Sequence, residues 1–228
     1  MPMKFCHFTY PLLILSLFSC DKKQSVDSKD VTNKTTIEHH ETQWEMIENA
    51  TLKNWTDYYL TTIDSSFSLT KFELQSKSEL QKMKGSVAGL FDENFDQIYQ
   101  EFIIYSPNKE MYIDLDSYLW SFDSLTNRLI YEADQEVNLV HNTKKKIERI
   151  GFRGPSYRVE DAFWLGDSVV VFLETSSDKV PTINKIDLKS NTITNFMYQD
   201  TLMKASDYSK TRISNKLKNY FEKDKLSH

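Results

Sequence analysis

Apolar positions along the chain change their period three times. Leu12 to Phe18 is an almost wholly apolar run inside an uncharged stretch from Phe5 to Ser19. A polar stretch follows, with no aromatic residue between Asp21 and Gln43. Then Trp44, Ile47, Leu52, Trp55, Tyr59 and Ile63 recur at about helical spacing and predict a helix over residues 43–64. Thr42 and Glu45 have the spacing of a capping box at its start. Two tryptophans and a tyrosine on one stripe suit a buried face better than a ligand platform.

Residues 67–76 read as a strand, and Leu80, Met83, Val87 and Leu90 return to helical spacing, interrupted by Gly85 and Gly89. From about residue 99 to 198 the texture becomes short β-type runs divided by turn residues, at 102–105, 111–115, 128–131, 136–140, 169–173, 183–188 and 192–197. Ile213, Leu217, Tyr220 and Phe221 then fall on one face of a C-terminal helix over 206–223. The pattern predicts an α+β fold, mainly an antiparallel β meander in an open curved sheet or a sandwich, with one helix at each end.

Two stretches within the β region share a pattern. Phe122-Asp-Ser-Leu-Thr-Asn127-Arg-Leu129 and Ile186-Asp-Leu-Lys-Ser-Asn191-Thr-Ile193 both run apolar-Asp-x-x-hydroxyl-Asn-x-aliphatic. Asparagine tolerates positive φ, so each reads as a hairpin turn. These hairpins resemble those in β-propeller blades, but the region holds too few residues to close a ring of four blades.

The N-terminal run is too short to span a bilayer core of about 30 Å. Lys4 before it and a small residue after it make a secretory signal. Leu17-Phe18-Ser19-Cys20 resembles the lipobox of bacterial lipoproteins, with Phe18 where a smaller residue is commoner. The resemblance implies cleavage before Cys20 and acylation of its thiol and new amine. Cysteine usage agrees: the chain has two, and Cys6 leaves with the signal, so Cys20 keeps no intrachain partner. The expected organisation is a signal peptide over 1–19, a lipidated cysteine and flexible tether over 20–41, and one α+β domain over 42–228. Such a tether spans about 25 Å root-mean-square. The expected localisation is the cell envelope, lipid-anchored on the periplasmic side or at the cell surface.

Composition removes several alternatives. The 228 residues include 39% apolar and 13% aromatic residues, too many for a disordered chain. The net charge of −5 gives no global basic field for nucleic acid. Lys204 to Lys225 carries seven basic and three acidic residues, which suits the solvated face of a packed helix.

Candidate chemistry is sparse. There is no Gly-x-Ser-x-Gly elbow, Walker loop or His-Glu-x-x-His motif. His39-His40 lies in the tether, and a lone His141 makes no multi-histidine zinc site. No metal and no cofactor is expected. Asp92, Asp114 and Asp116 are clustered carboxylates that an envelope hydrolase would use. The densest stretch is Arg149-Ile-Gly-Phe-Arg153-Gly-Pro-Ser-Tyr157-Arg158, with three of the five arginines. Read as a loop, it offers Arg149, Arg153, Tyr157 and Arg158 to a carboxylate, phosphate or sugar. A purely structural loop would instead pair those arginines with Glu148, Glu160 and Asp161 beside them. The expected role is a non-catalytic protein- or glycan-binding module, with the hydrolase as its rival.

Overall fold

The computed structural model describes Trp44 and residues 47–226, with side chains to residue 222. Cys20, the tether and the Thr42/Glu45 capping box lie outside the described residues.

Helix α1 spans Ala50–Tyr58 and runs on through a π turn, Tyr59–Ile63. It starts seven residues later than the periodicity predicts. Asn49, in extended backbone at φ −140°, accepts from the Thr51 and Leu52 amides at 2.9 and 3.2 Å, and so caps the helix. The apolar stripe behaves as expected: Leu52, Trp55, Tyr59 and Ile63 are buried, and Trp44 joins the same cluster from outside the helix.

The strands are β1 (Phe72–Glu79), β2 (Met83–Lys84), β3 (Ile104–Tyr105), β4 (Met111–Asp114), β5 (Trp120–Asp123), β6 (Arg128–Tyr131), β7 (Gln135–His141), β8 (Lys146–Arg153), β9 (Tyr157–Leu165), β10 (Val169–Ser176), β11 (Thr182–Asp187) and β12 (Thr192–Tyr198). Helix α2, Tyr208–Leu226, follows. No helix forms at Leu80 to Leu90. There the chain leaves β1, makes the short β2 and turns, and a Cβ on Gly85 would stand 2.4 Å from Asn138 Oδ1. That close approach explains a glycine the helical reading had no place for.

All pairings are antiparallel, in two open five-stranded sheets of order β1-β12-β11-β10-β9 and β2-β8-β7-β4-β3, plus the hairpin β5-β6. The fold is therefore α+β and mainly antiparallel, with a helix towards each end.

Strand alternation sorts the apolar residues. On β10, Val170 and Phe172 join Leu139 and Ile150 of the second sheet in one core, while Val171 and Leu173 pack beneath α1 in another. The unbroken run Val169 to Leu173 is thus apolar because both faces of its strand are covered. A third cluster sets Ile213 and Leu217 of α2 against Phe102, Leu119 and Trp120.

Both sequence-matched segments are hairpins. Asp123 Oδ1 accepts from the Leu125 amide at 2.9 Å, and Asp187 Oδ1 from the Lys189 amide at 2.8 Å. Asn127 and Asn191 then take φ of 54° and 51°. Asn191→Ala should lose about 1 kcal/mol in urea denaturation, and Asn191→Gly should not. Equal midpoints for the alanine variant and the parent would count against the turn argument.

Candidate functional site

The inner face of the first sheet changes character along its strands. Ile193 and Ile186 are register partners and belong to the core shared with the second sheet. Moving along the same face, the next partners are Asn195 with Asn184, then Met197 with Thr182. Ser78 and Ser76 of β1 pair with Ile193 and Asn195, and Glu174 follows Phe172 by two on β10. Where this face meets the second sheet it is apolar, and beyond that contact Glu174, Asn184, Thr182 and Asn195 lie beside Met197. A cleft of about 430 Å³ opens over the polar end, with Arg153 and Tyr157 in its wall.

A hydrogen-bonded row crosses its floor. Arg153 donates to both oxygens of Glu174, from Nε at 2.9 Å and Nη2 at 2.7 Å. Asn184 Nδ2 donates to Glu174 Oε1 at 2.8 Å, and Asn195 Nδ2 to Asn184 Oδ1 at 2.9 Å. Burial works against the charge on Arg153, but the Glu174 carboxylate outweighs it and holds the guanidinium above its ordinary pKa.

A smaller hollow of about 240 Å³ adjoins, sharing Ile193 and bordered by Met83, Arg149 and Phe152. Arg149 donates to Glu136 Oε1 at 2.7 Å and lies 5.4 Å from the Phe152 ring centroid. Phe152 and Tyr157 remain 47% and 49% exposed, so both present aromatic surface at the mouth of these hollows.

Of the four residues singled out in sequence, Arg149, Arg153 and Tyr157 line the hollows and Arg158 does not. Alternation along β9 turns Arg158 to the other side, where Nη2 reaches the Ala133 carbonyl at 3.4 Å and Nη1 is buried without a partner. Burial lowers its pKa despite Asp134 nearby. The stretch is not a loop but the end of β8, a turn, and the start of β9. Arg149 and Arg153 pair across strands with Glu136 and Glu174, and not with acids adjacent in sequence. Strand neighbours face opposite ways, so their partners come from other strands. Glu148 instead meets His141 at 2.8 Å and Lys146 at 2.7 Å. Sequence reasoning missed Glu174, Asn184 and Asn195. Their signal was a polar residue at an inward position of a β run.

The candidate catalytic carboxylates lie elsewhere. Asp92 Oδ2 accepts from the Gly89 amide at 2.6 Å. Asp114 is buried and accepts from the Asp116 and Ser117 amides, both at 3.0 Å, and from the Ser117 hydroxyl. Asp116 takes a bidentate pair from Arg212 at 3.0 and 2.8 Å and a third bond from Trp120 Nε1 at 3.1 Å. These acids fasten loops and α2 within the protein.

That fastening belongs to a polar junction closed to solvent. Glu160 of β9 is fully buried, and its Oε2 accepts from Trp55 Nε1 and Tyr59 Oη, each at 2.7 Å. Its Oε1 accepts from the Ser206 hydroxyl, and its main-chain carbonyl from Arg212 Nε at 2.9 Å. Tyr208 Oη donates to Asp161 Oδ2 at 3.2 Å. Burial drives Glu160 up to about 7, against the hydrogen bonds that favour its charge.

Among the described residues no group of three or more His, Cys, Asp or Glu side chains is placed to hold a metal, and no helix is long and apolar enough to cross a membrane. Fold and cleft together define an α+β protein of two open antiparallel sheets with a groove of mixed polar and apolar lining on one inner face. No family model, curated protein or solved structure matches the chain.

Proposed function

We propose that the chain is a lipoprotein of a bacterial cell envelope, anchored through Cys20, whose folded domain is a non-catalytic binding module with its ligand in the cleft between the sheets. The observation that carries the binding role is the polar end of the first sheet's inner face, left open beside an exposed Tyr157. Convergent polar groups held in place by one another make a pre-formed site. Asp114 and Asp116, the carboxylates that would favour hydrolysis, are committed inside the protein. The anchor rests on the Leu17-Phe18-Ser19-Cys20 pattern and the unpaired cysteine.

The test is affinity purification of the C-terminally tagged, full-length chain from detergent-solubilised envelopes, beside Cys20→Ser and Tyr157→Ala. Cys20→Ser should move from the detergent phase to the aqueous phase, and its retention in detergent would sink the anchor. Tyr157→Ala should cut the co-purifying envelope protein or saccharide by about tenfold, the order expected of a lost aromatic contact. An unchanged yield would remove the cleft from the proposal.

A further inference from the structure

The charges in the cleft restrict what it can hold. Arg153 is the cation lining it and Glu174 the anion, and each is committed to the other. Two guanidinium nitrogens donate to Glu174, and the third, Nη1, donates to the Phe152 carbonyl at 3.1 Å. An anionic ligand that displaced Glu174 from Arg153 would leave a carboxylate only 3% exposed without its partner, which is costly, and one that did not would meet a charge already neutralised. A cationic ligand seeking Glu174 meets the same obstacle. The cleft is thus electrically balanced before any ligand arrives.

What it still offers is neutral hydrogen bonding. The hydroxyls of Ser76, Ser78 and Thr182 and the Oδ1 of Asn195 line the cleft and have no protein partner among the described residues. Hydroxyls both donate and accept, and an amide oxygen accepts. Across the floor backbone pairing is not on offer, since β10, β11 and β12 each have a strand on both sides; the edge of the sheet on this side is β1, which carries Ser76 and Ser78. A peptide added as an extra strand needs a free edge, so it would pair along the outer side of β1 and not across this floor.

We infer that the cleft binds a neutral saccharide, its hydroxyls bonded to the Ser76, Ser78 and Thr182 hydroxyls and to Asn195 Oδ1, with a sugar C–H face laid on the Tyr157 ring. The inference rests on the proposal that this cleft is the ligand site. A pyranose supplies what the surface lacks, namely many uncharged donors and acceptors on one edge and an apolar face beside it.

The experiment is a glycan array carrying neutral and acidic saccharides, probed with the full-length chain in a detergent that contains no sugar. Tyr157→Ala, Asn195→Ala and Arg158→Ala are run beside it, with thermal melts to confirm folding. Binding confined to neutral saccharides, weakened about tenfold by Tyr157→Ala and Asn195→Ala but not by Arg158→Ala, is expected. Preference for acidic saccharides, or an array without signal, would overturn the saccharide assignment. If a protein were then still captured in a Tyr157-dependent manner, the cleft would stand as the site and only its ligand class would fall. Saccharide binding that both cleft variants retain would overturn the site as well.

Discussion

Replacing Arg212 by methionine is expected to destabilise the folded domain by about 3–5 kcal/mol, the cost of breaking a buried ion pair from one side. Arg212 and Asp116 keep only 6% and 1% of their side chains exposed. Without the guanidinium, Asp116 retains a single donor, Trp120 Nε1, and the Glu160 carbonyl loses the one from Arg212 Nε. Both are inside, where an unsatisfied acceptor recovers nothing from water. Asp116 sits in the loop after β4, Glu160 on β9 and Arg212 on α2, so the loss is felt by three elements that Arg212 joins. The double variant Arg212→Met/Asp116→Asn should recover a large part of the deficit, since it removes the uncompensated charge. Urea denaturation of the parent, both single variants and the double variant measures this directly. A loss below about 1 kcal/mol for Arg212→Met would show that the pair is no more than a surface contact in its energetics.

The second large effect is on pH dependence. Glu160 moves from an ordinary carboxyl value of 4.5 to about 7, because burial disfavours its charge more than its donors favour it. The folded state therefore holds this proton more tightly than the unfolded chain does. The resulting stabilisation is fully present below about pH 4.5, declines as pH rises through the window, and is gone above about pH 7. At about 1.4 kcal/mol for each pH unit, the full window is worth about 3 kcal/mol. Burial also raises Asp114 and Asp161, which work in the same direction. Glu136 and Glu148 oppose it at more acid pH, since their hydrogen bonds and cationic partners overcome their own partial burial and lower them. Unfolding free energy should thus be larger near pH 5.5 than near pH 8. Glu160→Gln should flatten that slope: a glutamine oxygen still accepts from Trp55 and Tyr59, and its amide can donate to Ser206. If the slope persists in Glu160→Gln, another group carries it.

Both effects arise where sequence reading was weakest. The periodicities that located α1, α2 and most strands say nothing of polar residues arriving from far along the chain. Trp55 and Glu160 are 105 residues apart, and Asp116 and Arg212 are 96 apart. The candidate cleft shows the same divide. Tyr157, Arg149 and Arg153 were visible as an unusual local cluster. Glu174, Asn184 and Asn195 were not, because each looks like an ordinary polar position until register places it beside the others. The separate placement of Arg158 has the same origin: reading a loop left out the two-residue alternation that turns it away from Tyr157.

What the sequence by itself determined is local. The α1 stripe, the two Asp-to-Asn hairpin turns, the short β-type run at Val169 to Leu173 and the apolar face of α2 all follow from patterns a few residues long. Such features depend on backbone period and turn chemistry, which neighbouring residues carry between them. Only the tertiary structure decided that β1 pairs with β12 and β2 with β8, and that the first sheet's inner face extends past its apolar contact into an open polar end. Those outcomes depend on which distant strands share an edge and where one sheet stops covering the other. No local pattern encodes that, because the free energy that selects it comes from burying surfaces the unfolded chain never brings together.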